Sequence, residues 1–168
     1  MRASRNGVDL FLSSTQIRRV NPKSTVKGNG AAKVAKLPSR VESAVDQQLA
    51  DIESRLVEVR RHLHAHPEPS REERETSKFI LNQLTEAGIE ARLGRNGLGV
   101  IADVDIGEPA TNTRRIAIRS DIDALWIQDI KTSAYASKHQ GLCHACGHDA
   151  HTSIVLGTAF TSAVLGQA

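Results

Sequence analysis

The sequence predicts an α/β fold, a layered sheet flanked by helices, from three observations. Two apolar patterns with helical spacing precede residue 88, and three short strand-like segments follow between residues 89 and 119. A run of small and aliphatic residues then closes the chain. This order of elements is typical of a layered α/β domain, which we expect to span 41–168. Ligand sites in such sheets lie beyond the carboxyl ends of the strands.

The first helix is predicted from apolar residues at helical intervals, Ile52, Leu56, Val59 and Leu63, and it ends before Pro67. Charged residues fill its other faces, so we expect one face to be buried.

The second helix is predicted to begin at Ser70 as N-cap, with Glu73 completing a capping box. Ile80 and Leu84 continue its apolar face, and Gly88 is expected to end it.

Strands are predicted at 89–93 and 98–104, on either side of a turn at 95–97, and a buried strand at 115–119. The last element is a helix over 151–165, which the small and aliphatic residues indicate.

Residues 1–40 differ in charge from the rest of the chain. They hold nine Lys or Arg and one acidic residue, against 13 basic and 18 acidic residues in the remainder. We interpret 1–40 as a disordered extension or an organellar transit peptide, mitochondrial or plastid. Because the net charge of +3 comes from this segment and only 3% of residues are aromatic, we expect no nucleic acid partner.

Location is predicted only as cytoplasmic or organellar. The apolar run 10–12 is too short for a secretory signal, and no stretch reaches membrane-spanning length, so we expect neither secretion nor membrane attachment. Two cysteines within one loop give no disulfide framework and suggest a reducing interior.

The loop at 141–151 concentrates metal-ligand chemistry, with two cysteines, three histidines and one aspartate. Cys146 and His148 lie two apart around a glycine, so a turning loop lets both face one ion, and we take them as metal ligands. His144 with His148, or His148 with His151, have the spacing at which one helix face chelates a metal.

Three other interpretations of this loop stay open. Cys143 and Cys146 form a C-x-x-C pair, which would suit a structural zinc knuckle if a second ligand pair existed. The loop could also be polar without a metal. Cys146 could instead be a nucleophile activated by a histidine.

Three carboxylates are candidates to orient the metal ligands. Asp121 and Asp123 follow the strand 115–119 and point to one side of an extended segment, or else simply cap the strand end. Asp149 is expected to hold the imidazole of His148 or His151.

The remaining charged residues near the first helix are given structural roles. His64 and His66, before Pro67, are expected to support a turn rather than bind metal. Arg60 and Arg61 are expected to be the solvated end of the helix.

Four ordered segments give a family resemblance over 45–168. Arg-Arg-His-Leu-His-Ala-His-Pro-Glu at 60–68, Arg-Ser-Asp-Ile-Asp-Ala-Leu at 119–125, Tyr-Ala-Ser-Lys at 135–138 and His-Ala-Cys-Gly-His-Asp-Ala-His-Thr at 144–152 match in order. The chain resembles the aminoacylase-type metallo-amidohydrolases, metallopeptidase family twenty. This family includes hippurate hydrolases, indole-acetic acid–amino acid conjugate hydrolases and N-acyl-amino acid amidohydrolases.

The resemblance implies a metal-dependent hydrolase of the amide bond in N-acyl or conjugated amino acids, with two divalent ions, zinc or manganese. It implies Cys146 and His148 as metal ligands. Related metallopeptidases carry His-x-Asp at the place of Asp121 and Asp123, so Asp123 is the better match to the aspartate that orients a ligand. The full-length form would be a homodimer acting on a small molecule.

The chain departs from the family pattern in two residues and in length. Trp126 replaces the usual proline, and Cys143 replaces a larger apolar residue. The family's general-base glutamate, lid or dimerisation domain and last histidine ligand follow the metal loop. The resemblance therefore implies the N-terminal part of a zinc-peptidase-like catalytic domain, inactive alone. The alternatives are a non-catalytic metal- or partner-binding truncated product and a chain that folds poorly by itself.

Overall fold

The computed structural model describes residues 7–12, 38–106 and 115–166, and for 7–12 it describes the backbone. The elements in chain order are β1 (Gly7–Leu12), α1 (Ser39–Ala65), α2 (Arg74–Glu86), β2 (Ala91–Leu93), β3 (Val100–Asp105), β4 (Arg115–Ser120) and α3 (His148–Leu165). A single 3-10 turn, Arg95–Gly97, separates β2 from β3, where a turn was predicted.

The four strands form one mixed sheet in the order β2-β3-β1-β4. β3 pairs antiparallel with β2 and β1, whereas β1 and β4 are parallel. β1 lies within the segment 1–40, where no strand was predicted. The rest of that segment up to residue 37 lies outside the described residues, so its role as a transit peptide or extension stays a prediction.

The core lies between the helices and the sheet. Helix α1 contributes Val59 and Leu63, both buried, with Ile52 and Leu56 packed beside them, as its apolar spacing predicted. The buried residues that complete the core come from α2, β3, α3 and two connecting segments: Ile80, Leu84, Ile89, Val100, Ala102, Val104, Ile122, Val155, Leu156, Ala159 and Phe160.

The start of α2 differs from the predicted capping box. The helix begins at Arg74, with Glu73 at the N-cap position and no side-chain cap from that residue or from Ser70. Instead the Glu68 carboxylate accepts hydrogen bonds from the backbone N–H groups of Glu75 at 3.2 Å and Thr76 at 2.7 Å. A carboxylate from outside the helix thus binds two free N–H groups of its first turn.

The end of α2 agrees with the predicted glycine stop. Gly88 has φ +71° and its N–H donates to the Thr85 carbonyl at 2.9 Å, while the Ile89 N–H donates to the Leu84 carbonyl at 3.0 Å. This pair of bonds is the Schellman arrangement, which favours glycine because of the left-handed backbone.

Strand β4 is not the buried strand that its apolar residues predicted. Ser120 at its carboxyl end is buried and Ile118 is partly buried, but Ile116 is 61% exposed. β4 is the edge strand of this sheet, and burial reaches only its last residues. The apolar run therefore predicted the strand correctly and its burial wrongly.

Helix α3 begins at His148, three residues before the predicted start. Gly147 occupies the N-cap position with φ +85°, a left-handed conformation that favours glycine. His148 is consequently the first residue of a helix. Within the described ranges, none of the helices combines the length and the apolar character needed to cross a bilayer.

Candidate metal centre

The candidate centre lies where the chain leaves β4 and where α3 begins. The His148 Nδ1 atom is 3.0 Å from the Asp123 carbonyl oxygen and 3.0 Å from Asp123 Oδ1. The Cys146 Sγ atom lies 3.7 Å from the same carbonyl oxygen. The two clusters that the sequence singled out, 121–123 and 144–151, therefore meet at one residue.

The contact with Asp123 selects the nitrogen of His148 that is available to a metal. Because the two Asp123 oxygens beside Nδ1 are both acceptors, we assign the proton to Nδ1 and the lone pair to Nε2. An imidazole held by a carboxylate at one nitrogen is the usual arrangement of a ligating histidine. Both side chains are partly exposed, 22% for His148 and 18% for Asp123, so the site is open to solutes.

The Cys146 thiol is half-buried, and burial raises its pKa. The nearby charges of Asp123 and Asp149 raise the pKa further, against the backbone N–H of His148, which lowers it. A protonated thiol is a poor nucleophile, which argues against the Cys–His dyad. A divalent cation is the partner that would hold this sulfur as a thiolate.

Asp121 contacts α3 through its backbone. Its carboxylate pairs with Arg119. Its carbonyl oxygen accepts a hydrogen bond from Thr152 Oγ1 at 3.2 Å. Thus the Asp121 side chain is engaged at the strand end, while Asp123 is the carboxylate that reaches the metal loop.

The prediction that Asp149 holds His148 or His151 was wrong. Its Oδ2 atom lies 2.7 Å from His64 Nδ1 and 2.9 Å from Arg60 Nε. Consecutive helix residues point about 100° apart, so Asp149 faces α1 while His148 faces Asp123. The prediction that Arg60 is a solvated helix end was also wrong, because it ion-pairs with a buried carboxylate.

The histidines before Pro67 have different environments. His64 is 2% exposed. Its Nδ1 atom binds Asp149, and its Nε2 atom lies 3.6 Å from Asp129 Oδ2. His66 Nδ1 donates to the His62 carbonyl at 2.9 Å, within the last turn of α1. His66 thus supports the helix end, whereas His64 belongs to a buried cluster that was not predicted.

His144 is buried, and burial lowers its pKa to about 4, against the opposing negative charge of Asp149. Its ring centroid lies 6.4 Å from that of His64. Within the described parts of the chain, neither ring nitrogen has a hydrogen-bond partner. His144 is therefore a neutral imidazole on the buried side of the loop 141–151.

Arg60, Tyr135 and Asp129 are site neighbours that the sequence did not single out for such a role. The Arg60 and Arg61 guanidinium carbons lie 5.2 and 5.3 Å from the Tyr135 ring centroid. The helical spacing of Arg60 and His64 was the one available signal, because residues four apart on a helix share a face.

The donors that the structure brings together are chemically suited to a metal but few. Among the described residues, no group of three or more His, Cys, Asp or Glu side chains is arranged to hold an ion. Cys146 and His148, with Asp123 behind the histidine, fit part of a coordination sphere of sulfur and nitrogen. Their assignment as metal ligands stays a prediction.

Comparison with known proteins places this geometry in a family. Residues 117–168 match the family described as Peptidase family M20/M25/M40. The crystal structure of the Bacillus subtilis YXEP protein, described as a dinuclear metal-binding peptidase from the M20 family, superposes with a TM-score of 0.62 at 44% identity over 70% of this chain. The chain belongs to peptidase family M20. The resemblance and the α/β fold predicted from sequence are thereby confirmed.

Two of the curated relatives are named as a deacetylase and as an amino acid conjugate hydrolase. N-acetyl-L-cysteine deacetylase of Bacillus subtilis (strain 168) is 49% identical over 112 residues, 67% of this chain. IAA-amino acid hydrolase ILR1-like 2 of Arabidopsis thaliana is 42% identical over 104 residues, 62% of this chain. The chain spans 26% and 23% of these relatives and 32% of the YXEP chain.

Proposed function

We propose that this chain supplies two metal ligands, Cys146 and His148, to a hydrolase of the amide bond in N-acyl or conjugated amino acids. The observation that carries the proposal is that Cys146 Sγ and His148 Nδ1 both approach the carbonyl oxygen of Asp123, at 3.7 and 3.0 Å. The names of the M20 relatives support an amide substrate on a small molecule.

The donor set fits a borderline or soft divalent cation. Thiolate and imidazole together favour zinc, and manganese is the alternative that the family resemblance offers. Two ions per site are proposed because the YXEP protein is described as dinuclear. When bound, such ions polarise a scissile carbonyl and lower the pKa of water toward about 7.

The residues of this chain act by binding and orienting. Cys146 and His148 hold the cation, and Asp123 keeps the His148 ring in one tautomer and one direction. Each aspartate near the centre already has another partner: Asp123 binds His148, Asp121 pairs with Arg119, and Asp149 pairs with Arg60 and His64. The family resemblance implies that the general base is a glutamate that follows the metal loop, and we propose that role for a residue outside these 168.

Cobalt binding by the 168-residue chain tests the ligand assignment. We expect Co²⁺ to give a thiolate-to-cobalt absorption band that Cys146→Ser abolishes and that Cys143→Ser retains, since Cys143 is buried. Equal loss in both variants would favour the zinc knuckle. A band that survives Cys146→Ser would overturn the assignment.

Hydrolysis assays separate the enzyme from the non-catalytic product. We expect the 168-residue chain to bind metal without turnover, and a full-length protein containing it to hydrolyse N-acetyl amino acids. A chelator should remove that activity and added metal should restore it. Full activity in the presence of a strong chelator would contradict the proposal.

A further inference from the structure

A buried charge cluster, formed by Arg60, His64 and Asp149, connects α1 to the first turn of α3. The side chains of His64 and Asp149 are 3% and 1% exposed, and Arg60 is 35% exposed. One oxygen, Asp149 Oδ2, receives both donors at 2.7 and 2.9 Å. Distances of this size are typical of charge-assisted hydrogen bonds, which are stronger than neutral ones.

The cluster lies where α3 has no local cap. Gly147, at the N-cap position, has no side chain to bind the free N–H groups of the first turn. Arg60 and His64 lie one turn apart on α1 and reach the same oxygen. The α1 helix thus supplies partners to the first turn of α3 that a local cap does not.

Helix geometry couples this cluster to the metal ligand. His148 and Asp149 are successive residues, about 100° apart around the helix axis. His148 and Thr152 lie on one face and contact the segment after β4, through Asp123 and the Asp121 carbonyl. A rotation of the first turn that moved Asp149 away from α1 would therefore also move His148 away from Asp123.

The cluster is poorly suited to a purely stabilising role. Buried charges are costly, and apolar residues of similar volume often stabilise a fold more. His64 also approaches a second buried carboxylate, with its Nε2 atom 3.6 Å from Asp129 Oδ2. The net contribution of such a buried pair to stability is small, whereas removing one of its partners is costly.

We propose that Arg60, His64 and Asp149 are positioning residues for the metal ligand His148. They act through the orientation of the first turn of α3 and do not touch the ion. The part of this inference that concerns metal binding rests on the proposed function. The orientation of His148 does not depend on a metal and can be tested without one.

The chain offers a matched control on the same helix. Arg55 and Arg60 are both α1 arginines with side chains 35% exposed, and each contacts α3, Arg60 through the Asp149 carboxylate and Arg55 through the Phe160 ring. Arg55 lies over the Phe160 ring at 4.3 Å and bonds Gln83, away from the metal loop. Arg60→Gln and Arg55→Gln therefore each remove one equally exposed guanidinium from α1, the first beside the metal loop and the second away from it.

The first measurement needs no metal. In ¹H–¹⁵N spectra of the histidine rings of the 168-residue chain, we expect His148 in wild type to carry its proton on Nδ1. Arg60→Gln should give a mixture of tautomers, Arg60→Lys should restore the wild-type pattern in part, and Arg55→Gln should leave it unchanged. An unchanged His148 spectrum in Arg60→Gln, or an equal change in Arg55→Gln, would overturn the inference.

The second measurement is the Kd for Co²⁺, with stability followed in parallel by urea unfolding. We expect Arg60→Gln and Asp149→Asn to weaken binding on the order of tenfold, the size usual for groups that orient a metal ligand. Arg55→Gln should lower stability with an unchanged Kd. Equal Kd values in all variants would contradict the inference. If wild type binds no Co²⁺, the proposed function fails, and the ring spectra still decide the positioning role.

Discussion

The two faces of the first turn of α3 use the same chemistry in different surroundings. On one face, Asp123 orients His148 where both side chains are about one-fifth exposed, at 18% and 22%. On the other, Asp149 binds His64 and Arg60 with almost no exposure of the carboxylate, 1%. Because water weakens the interaction of charges, removing a carboxylate from the buried face should cost more stability than removing one from the open face.

The largest effect is expected from Asp149→Ala. Removal of this carboxylate leaves His64 and Arg60 without their partner, and breaking a buried pair in this way costs about 3–5 kcal/mol. The free energy of unfolding in urea measures it. A loss of unfolding free energy below about 1 kcal/mol, the size usual for an exposed pair, would contradict the expected difference between the two faces.

Asp123→Ala should reverse the balance between stability and binding. The carboxylate is only partly buried, so we expect a loss of stability below about 1 kcal/mol. The His148 ring loses its orienting acceptor, so Co²⁺ affinity should fall about ten- to a hundredfold. A cobalt titration beside urea unfolding gives both quantities for one variant.

The matched control for Asp123→Ala is Asp121→Ala. The Asp121 carboxylate pairs with Arg119, and its contact with α3 is made by the backbone, which the substitution retains. We expect a smaller change in Co²⁺ affinity than at Asp123. Equal losses at both positions would mean that net charge, rather than the orientation of His148, determines binding.

The open face could be predicted only in part, because Cys146 and His148 are close in sequence whereas Asp123 lies 25 residues before His148. Cys146, the glycine after it and His148 determine one another's direction within three residues, and Asp123 follows a strand that the apolar run predicted. The buried face could not be predicted, because His64 and Asp149 are 85 residues apart and the helix packing brings them together. A carboxylate beside several histidines has several plausible partners until that packing is known.

The same limit applies to the sheet. The strand Gly7–Leu12 pairs with two strands more than 80 residues later in the chain. Its short apolar run within a basic segment gives no local sign of that pairing. The prediction that β4 is buried was wrong for a related reason. Apolar composition predicts a strand, but it does not predict which residues of the strand the neighbouring helices cover.

The smallest loss of stability is expected at the start of α2, where the partly buried carboxylate of Glu68 binds the helix N-terminus. Glu68→Gln retains the size of the side chain but removes its charge from the two N–H groups of Glu75 and Thr76. We expect a loss of about 0.5–1 kcal/mol, since a charge near a helix N-terminus is worth roughly that much. Ser70→Ala, at the position that the sequence predicted as the cap, should change stability by less than about 0.5 kcal/mol. Urea unfolding of the two variants shows which residue caps the helix. A larger loss of stability for Ser70→Ala than for Glu68→Gln would support the predicted capping box instead.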